Sequence, residues 1–165
     1  MAAGQDTIPD GASAAVRTDL STALKTAMRE KDTVAVSTIR LILAAIKDRD
    51  IAARDRGVTD GIADDEILSL LQTMVKQRNE SIGLYEQGGR LDLVESEQAE
   101  IEVIRRFLPT PMSRQETQDA VNAVIADIGA SGLKDMGRTM QVLRSQYVGK
   151  MDFGVASGMV KQALA

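Results

Sequence analysis

The sequence predicts an all-α protein, with an N-terminal helical domain and a smaller C-terminal helical domain. Three observations carry that expectation. Apolar residues recur three and four positions apart through most of the chain, and no stretch alternates as a half-buried strand does. Only three of the 165 residues are proline, so long helices go uninterrupted. Aromatics make up 2% and Trp is absent, so the core must be built from Leu, Ile, Val, Met and Ala, which favour helix alongside Glu, Lys, Arg and Gln.

Each element follows in order. Residues 1–15 are small and polar, with Gly and Pro, and are expected to form a disordered tail. Val16, Leu20, Leu24, Ala27 and Met28 then set a first helix that runs to about Lys31. Asp32 and Thr33 offer caps for a second. Its inward stripe is Val36, Ile39, Leu43 and Ile46, and its other face carries Arg40, Lys47, Asp48 and Arg49. Arg54 to Gly61 loses the period and reads as a loop. Asp64, Asp65 and Glu66 place negative charge where a helix start favours it. Ile67, Leu70, Leu71, Met74 and Val75 continue that helix toward Tyr85, and Gly88-Gly89 ends it. A fourth helix turns Val94, Ile101, Ile104 and Leu108 inward, with Glu102 and Arg106 spaced for a surface pair.

Pro109 and Pro111 make a semi-rigid joint, and the domain boundary is placed at Pro111, giving domains of 16–111 and 112–165. Ser113 and Glu116 match a capping box, in which the serine takes a backbone N–H and the glutamate reaches back. The helix they open buries Val121, Val124, Ile125 and Ile128 and stops at Gly129 and Gly132. Leu133, Met136, Met140, Leu143 and Tyr147 form a narrow seam. After Gly149, Val155, Met159, Val160 and Ala163 form the last stripe.

Composition limits the chemistry. The chain has no Cys, which rules out disulfides, thiol nucleophiles and zinc-thiolate sites. It has no His, so Ser-His-Asp and Cys-His triads are ruled out and the commonest metal ligand is missing. No catalytic residue, metal site or cofactor is assigned. Asp60-Gly61 with Asp64, Asp65 and Glu66 lacks the spacing of a calcium loop. The N-terminus does not read as a signal peptide and no run suits a membrane span; with no export signal and no cysteine, the cytoplasm is the expected location.

Net charge is −4, but it is unevenly spread. From Leu133 to Ala165 five basic residues face two acidic ones, leaving +3 there and −7 on the rest. Lys134 and Arg138 lie four apart, with Gln141 and Ser145 continuing their strip, Arg144 beside it and Lys150 in the next loop. Such a strip can follow a phosphate backbone without reading bases. It also fits an ordinary solvated helix face. Arg40, Lys47, Lys76 and Arg78 form a second candidate anion set, which serves equally to pair with Glu80 or other acids and hold helices in register.

Several segments, in order, resemble the YqeY family: Ser37 to Lys47, Val75-Lys76-Gln77-Arg78-Asn79-Glu80-Ser81, Gly88-Gly89-Arg90-Leu91-Asp92-Leu93, Glu100 to Pro109, and Lys134-Asp135-Met136-Gly137-Arg138. The resemblance spans about Val16 to Leu164. It implies two helical parts, the smaller similar to the tail of GatB, a subunit of the glutamine-dependent amidotransferase that acts on misacylated tRNA. It therefore implies an accessory tRNA-binding module lacking its own catalytic site, although the family's label is carbon–nitrogen ligase with glutamine as amido donor. On that reading the basic strip read from the charge pattern, Lys134, Arg138, Arg144 and Lys150, supplies the RNA contacts. The sequence departs from the family pattern at Gly149-Lys150-Met151-Asp152-Phe153-Gly154, where Lys150 keeps a charge but not a guanidinium fork. The implied partners are tRNA and an amidotransferase or RNA-processing protein. The alternative is a protein-interaction adaptor that binds no RNA.

Overall fold

The computed structural model describes residues 15–165. The expected N-terminal tail lies outside them, except for Ala15, which opens the first helix. Seven α-helices account for the described fold: α1 (Ala15–Glu30), α2 (Thr33–Ala53), α3 (Asp64–Gln87), α4 (Leu91–Arg105), α5 (Arg114–Ile128), α6 (Met136–Gln146) and α7 (Phe153–Leu164). No strand occurs among the described residues. Short 3-10 turns follow α2 at Arg54–Arg56 and precede α6 at Leu133–Asp135. The chain divides between Phe107 and Leu108 into two compact units, a few residues ahead of the boundary expected at Pro111.

In the larger unit α1, α3 and α4 all contact α2, and α3 and α4 form the most extensive pairing. Leu20, Ile39, Ile42, Ile67, Leu71 and Ile104 are its fully buried large apolar side chains. Burial of each such side chain contributes about 1.5–3 kcal/mol. The stripe on α2 is rotated from the expected one. Ile42 is buried, whereas Val36 and Leu43 are half-buried. The cause is that α2 is apolar on two faces, so spacing alone fits more than one stripe. Met28, expected inward, stands 53% exposed.

Local chemistry sets the helix ends. The Asp32 carboxylate caps α2 by accepting from the Ala35 amide at 3.1 Å. Lys31, just before it, takes a left-handed φ of 58°, the one non-glycine residue to do so among those described. The loop into α3 is held by a polar clamp. Arg17 on α1 donates two hydrogen bonds to Asp50 on α2, at 2.7 and 2.9 Å, and a third to the Ile62 carbonyl at 3.0 Å. The Ile62 amide donates back to Asp50 at 2.8 Å. Gly61 lets the loop pass close: its φ is +90°, and a Cβ there would sit 2.8 Å from the Arg17 guanidinium.

The smaller unit packs α5, α6 and α7 around Val121, Leu143, Met151, Ala156 and Val160, all shut off from solvent. The expected capping box forms: the Ser113 hydroxyl accepts from the Glu116 amide at 3.1 Å, and the Ser113 amide donates to the Glu116 carboxylate at 2.8 Å. Three expected core positions are instead exposed. Leu133 sits in the 3-10 turn before α6, where the helical period has not begun. On α7, Val155 and Ala163 face outward while Ala156 and Leu164 are buried, a shift of one position. The expected Glu102–Arg106 pair does not form among the described residues, and both side chains stand exposed.

Candidate nucleic-acid interface

The four cations singled out in the smaller unit are all exposed, yet their surroundings differ. α5 ends at Gly129, whose left-handed φ of 65° turns the chain away. The turn leaves the Ile128 carbonyl without a helical partner, and Arg138 supplies one at 3.0 Å. The same guanidinium donates to Asp135 at 3.2 Å. The other oxygen of Asp135 accepts from the Ser131 amide at 2.9 Å, and its backbone carbonyl accepts from the Thr139 hydroxyl at 2.8 Å. The Ser131 amide first, and the Arg138 guanidinium after it, hold the Asp135 carboxyl below the usual carboxylate range. Arg138 is thus the cap that ties the end of α5 to the start of α6. Its charge is partly answered by Asp135.

Arg144 lies at the other end of α6, with its guanidinium carbon 6.0 Å from the centre of the Phe153 ring. Phe153 opens α7, so this contact joins the end of α6 to the start of α7. The loop between them, which carries Lys150, is built on backbone bonds, the Lys150 carbonyl accepting from the Met112 amide at 2.9 Å. Lys134, Arg144 and Lys150 form no ion pair among the described residues. The sequence strip therefore resolves into two cationic ends of one helix. Lys134 and Arg138 lie at its start, and Arg144 and Lys150 at its finish. Arg138 and Arg144, six positions apart on the helix, are separated by about 9 Å along its axis. Gly137 and Gly158 have open space where a Cβ would stand.

The four cations of the second candidate set have different surroundings. Arg78 turns to α4, donating to Glu100 at 2.9 Å and to the Met74 carbonyl at 3.2 Å. Its side chain is only 14% exposed. It is a strut between α3 and α4. Lys76 stands exposed on α3, and Arg40 and Lys47 stand exposed on α2, two turns apart. The sequence reading missed the Arg17–Asp50 clamp and the Asp152 cap of α7, which accepts from the Gly154 and Val155 amides. Asp152 before a helix start was a readable signal. Arg17 and Asp50, 33 residues apart, left none.

An open groove of about 400 Å³ runs between α3 and α4 over Ile82 and Ile101, edged by Asn79, Gln98, Glu102 and Arg105. No group of three or more carboxylates among the described residues could hold a metal ion, and no described helix is long and apolar enough to cross a membrane.

The family model described as Yqey-like protein matches residues 17–164, nearly the whole described chain. The chain belongs to the YqeY-like family. Curated relatives of this YqeY-like protein include "Altered inheritance of mitochondria protein 41, mitochondrial" from Kluyveromyces lactis. It is 31% identical over 145 residues, covering 86% of this chain and 72% of the relative. A protein of the same name from Pyrenophora tritici-repentis is 32% identical, over 77% of this chain and 73% of the relative. The one from Eremothecium gossypii is 42% identical, over 52% of this chain and 44% of its own length. The YqeY-like chain thus spans from under half to almost three quarters of these relatives. They are named as mitochondrial proteins, and this overturns the cytoplasmic expectation, which rested only on the lack of an export signal and of cysteine.

Proposed function

We propose that this YqeY-like protein is an accessory RNA-binding module that holds tRNA by its phosphate backbone through the smaller unit and supplies no catalysis itself. The observation that supports this reading is the exposure of Lys134, Arg144 and Lys150 at both ends of α6, none of them in an ion pair among the described residues. A cation kept in water and unpaired is ready to displace counterions from a phosphate chain. The similarity of this part of the sequence to the GatB tail points to tRNA, and the amidotransferase association would then come through the complex the module serves. With two phenylalanines and two tyrosines in the whole chain, recognition would rest on shape and backbone rather than on base stacking.

Gel-shift titration with total tRNA and with mitochondrial tRNA, at low and moderate salt, tests the reading. The mitochondrial sample is included because of the relatives' names. The triple variant Lys134→Glu, Arg144→Glu, Lys150→Glu is expected to weaken binding at least tenfold and to flatten its salt dependence. Arg138 is left alone because it caps α5. No shift of tRNA at low salt, or a shift untouched by the triple variant, would reject the reading.

A further inference from the structure

α2 carries a second apolar face that nothing in the described chain covers. Val34, Leu41 and Ile51 are 42%, 51% and 50% exposed, with Ala44 exposed between them. With Ser37 and Asp48, these positions follow one another at spacings of three and four, the seam of a helix that packs lengthwise on another. The opposite face of α2 is already used: Ala35, Thr38, Ile39, Ile42, Ile46 and Ala53 are buried in the larger unit. The outer seam is therefore surplus to the fold, and from Val34 to Ile51 it is about 25 Å long.

Charge decides what fits. Arg40 and Lys47 stand exposed along one edge of the seam, and neither is in an ion pair among the described residues. A second copy of α2 suits neither direction. Laid antiparallel, with Val34 against Ile51 and Leu41 against Ala44, it would bring Arg40 beside Lys47 of the other copy. Laid parallel, it would set Asp48 against Asp48 across the seam. Like charges at these places oppose pairing. We infer that the outer face of α2 docks an amphipathic helix of another protein, about eighteen residues long, whose apolar stripe is interrupted by a basic or polar residue opposite Asp48 and bordered by Asp or Glu facing Arg40 and Lys47. This is a protein-recognition surface on the larger unit, separate from the RNA contacts assigned to the smaller one.

Photocrosslinking of the full chain in its own cells tests it, with Leu41 replaced by benzoylphenylalanine and the crosslinked peptide sequenced. The expected product is a segment of another protein with apolar residues at helical spacing and acidic residues along one border. Its yield should fall at least tenfold in the Arg40→Glu, Lys47→Glu background and be unchanged by Lys76→Glu or by ribonuclease. Circular dichroism of the double variant checks that the fold is intact. A crosslink onto a second copy or onto the chain's own C-terminal unit would overturn the inference. So would a product insensitive to the charge reversals, a product lost with ribonuclease, or no product. None of these outcomes bears on the tRNA shift, which reports a different unit.

Discussion

The Arg17–Asp50 clamp shows how one pair of side chains sets a loop. The Asp50 carboxylate takes two hydrogen bonds from Arg17 and one from the Ile62 amide, and the two side chains are 31% and 24% exposed. Arg17, first, and the Ile62 amide hold the Asp50 carboxyl below its usual range. A depressed carboxyl stabilises the fold above its unfolded pKa, about 3.9, and that contribution is lost as pH falls through the lower folded value. Asp50→Asn is therefore expected to cost about 1.5–3 kcal/mol near neutrality. The difference from the parent chain should shrink steadily below about pH 4. Urea unfolding midpoints of both chains across that range check it; a gap that stays constant with pH would contradict the assignment. Residue chemistry of this kind was only half legible. Ser113 and Glu116 announced their capping box because the motif is local. Arg17 and Asp50 announced nothing, because their meeting depends on how α1 and α2 pack.

At the level of elements, the junction between α5 and α6 rests on Arg138. Its guanidinium serves the Ile128 carbonyl and Asp135 together, a fork that a lysine cannot reproduce. Arg138→Ala is expected to lower the stability of the smaller unit by about 1–2 kcal/mol, with Arg138→Lys recovering less than half. Ser113→Ala, at the other end of α5, should cost about 1 kcal/mol. Thermal melts of the three variants check the order, and full recovery by lysine would contradict the cap. The existence of every helix was readable from apolar spacing, but which residues faced inward was less so. On α2 the two apolar faces gave spacing a choice, and only packing picked Ile42 over Leu43. At α6 the seam was extended one step too far, to Leu133, because a 3-10 turn precedes the helix there. The cationic strip was legible as a set of charges. Its division into a capping arginine, an arginine over a phenyl ring and two unpaired lysines was not, since that depends on where α5 ends and where α7 begins.

For the molecule as a whole, two compact units imply two cores that answer separately to mutation. The chain offers a convenient test. It has no Trp and two tyrosines, Tyr85 in the larger unit and Tyr147 in the smaller. In a Tyr85→Phe background, tyrosine emission reports only the smaller unit. Leu143→Ala, at a fully buried position, should destabilise that unit by about 2–5 kcal/mol. In a Tyr147→Phe background the same substitution should leave the Tyr85 transition in place. Coincident shifts of both transitions would show instead that the chain unfolds as one.

The hydrogen bond from the Met112 amide to the Lys150 carbonyl has a consequence for the connecting segment. Met112 is the first residue after the Pro109–Pro111 stretch, so the segment arriving from the larger unit is tethered directly to the turn between α6 and α7. Tension along that segment would reach the Lys150 turn before it reached any helix of the smaller unit. Because the tether is made by main-chain atoms, replacing the lysine alters the electrostatics there and spares the mechanical link.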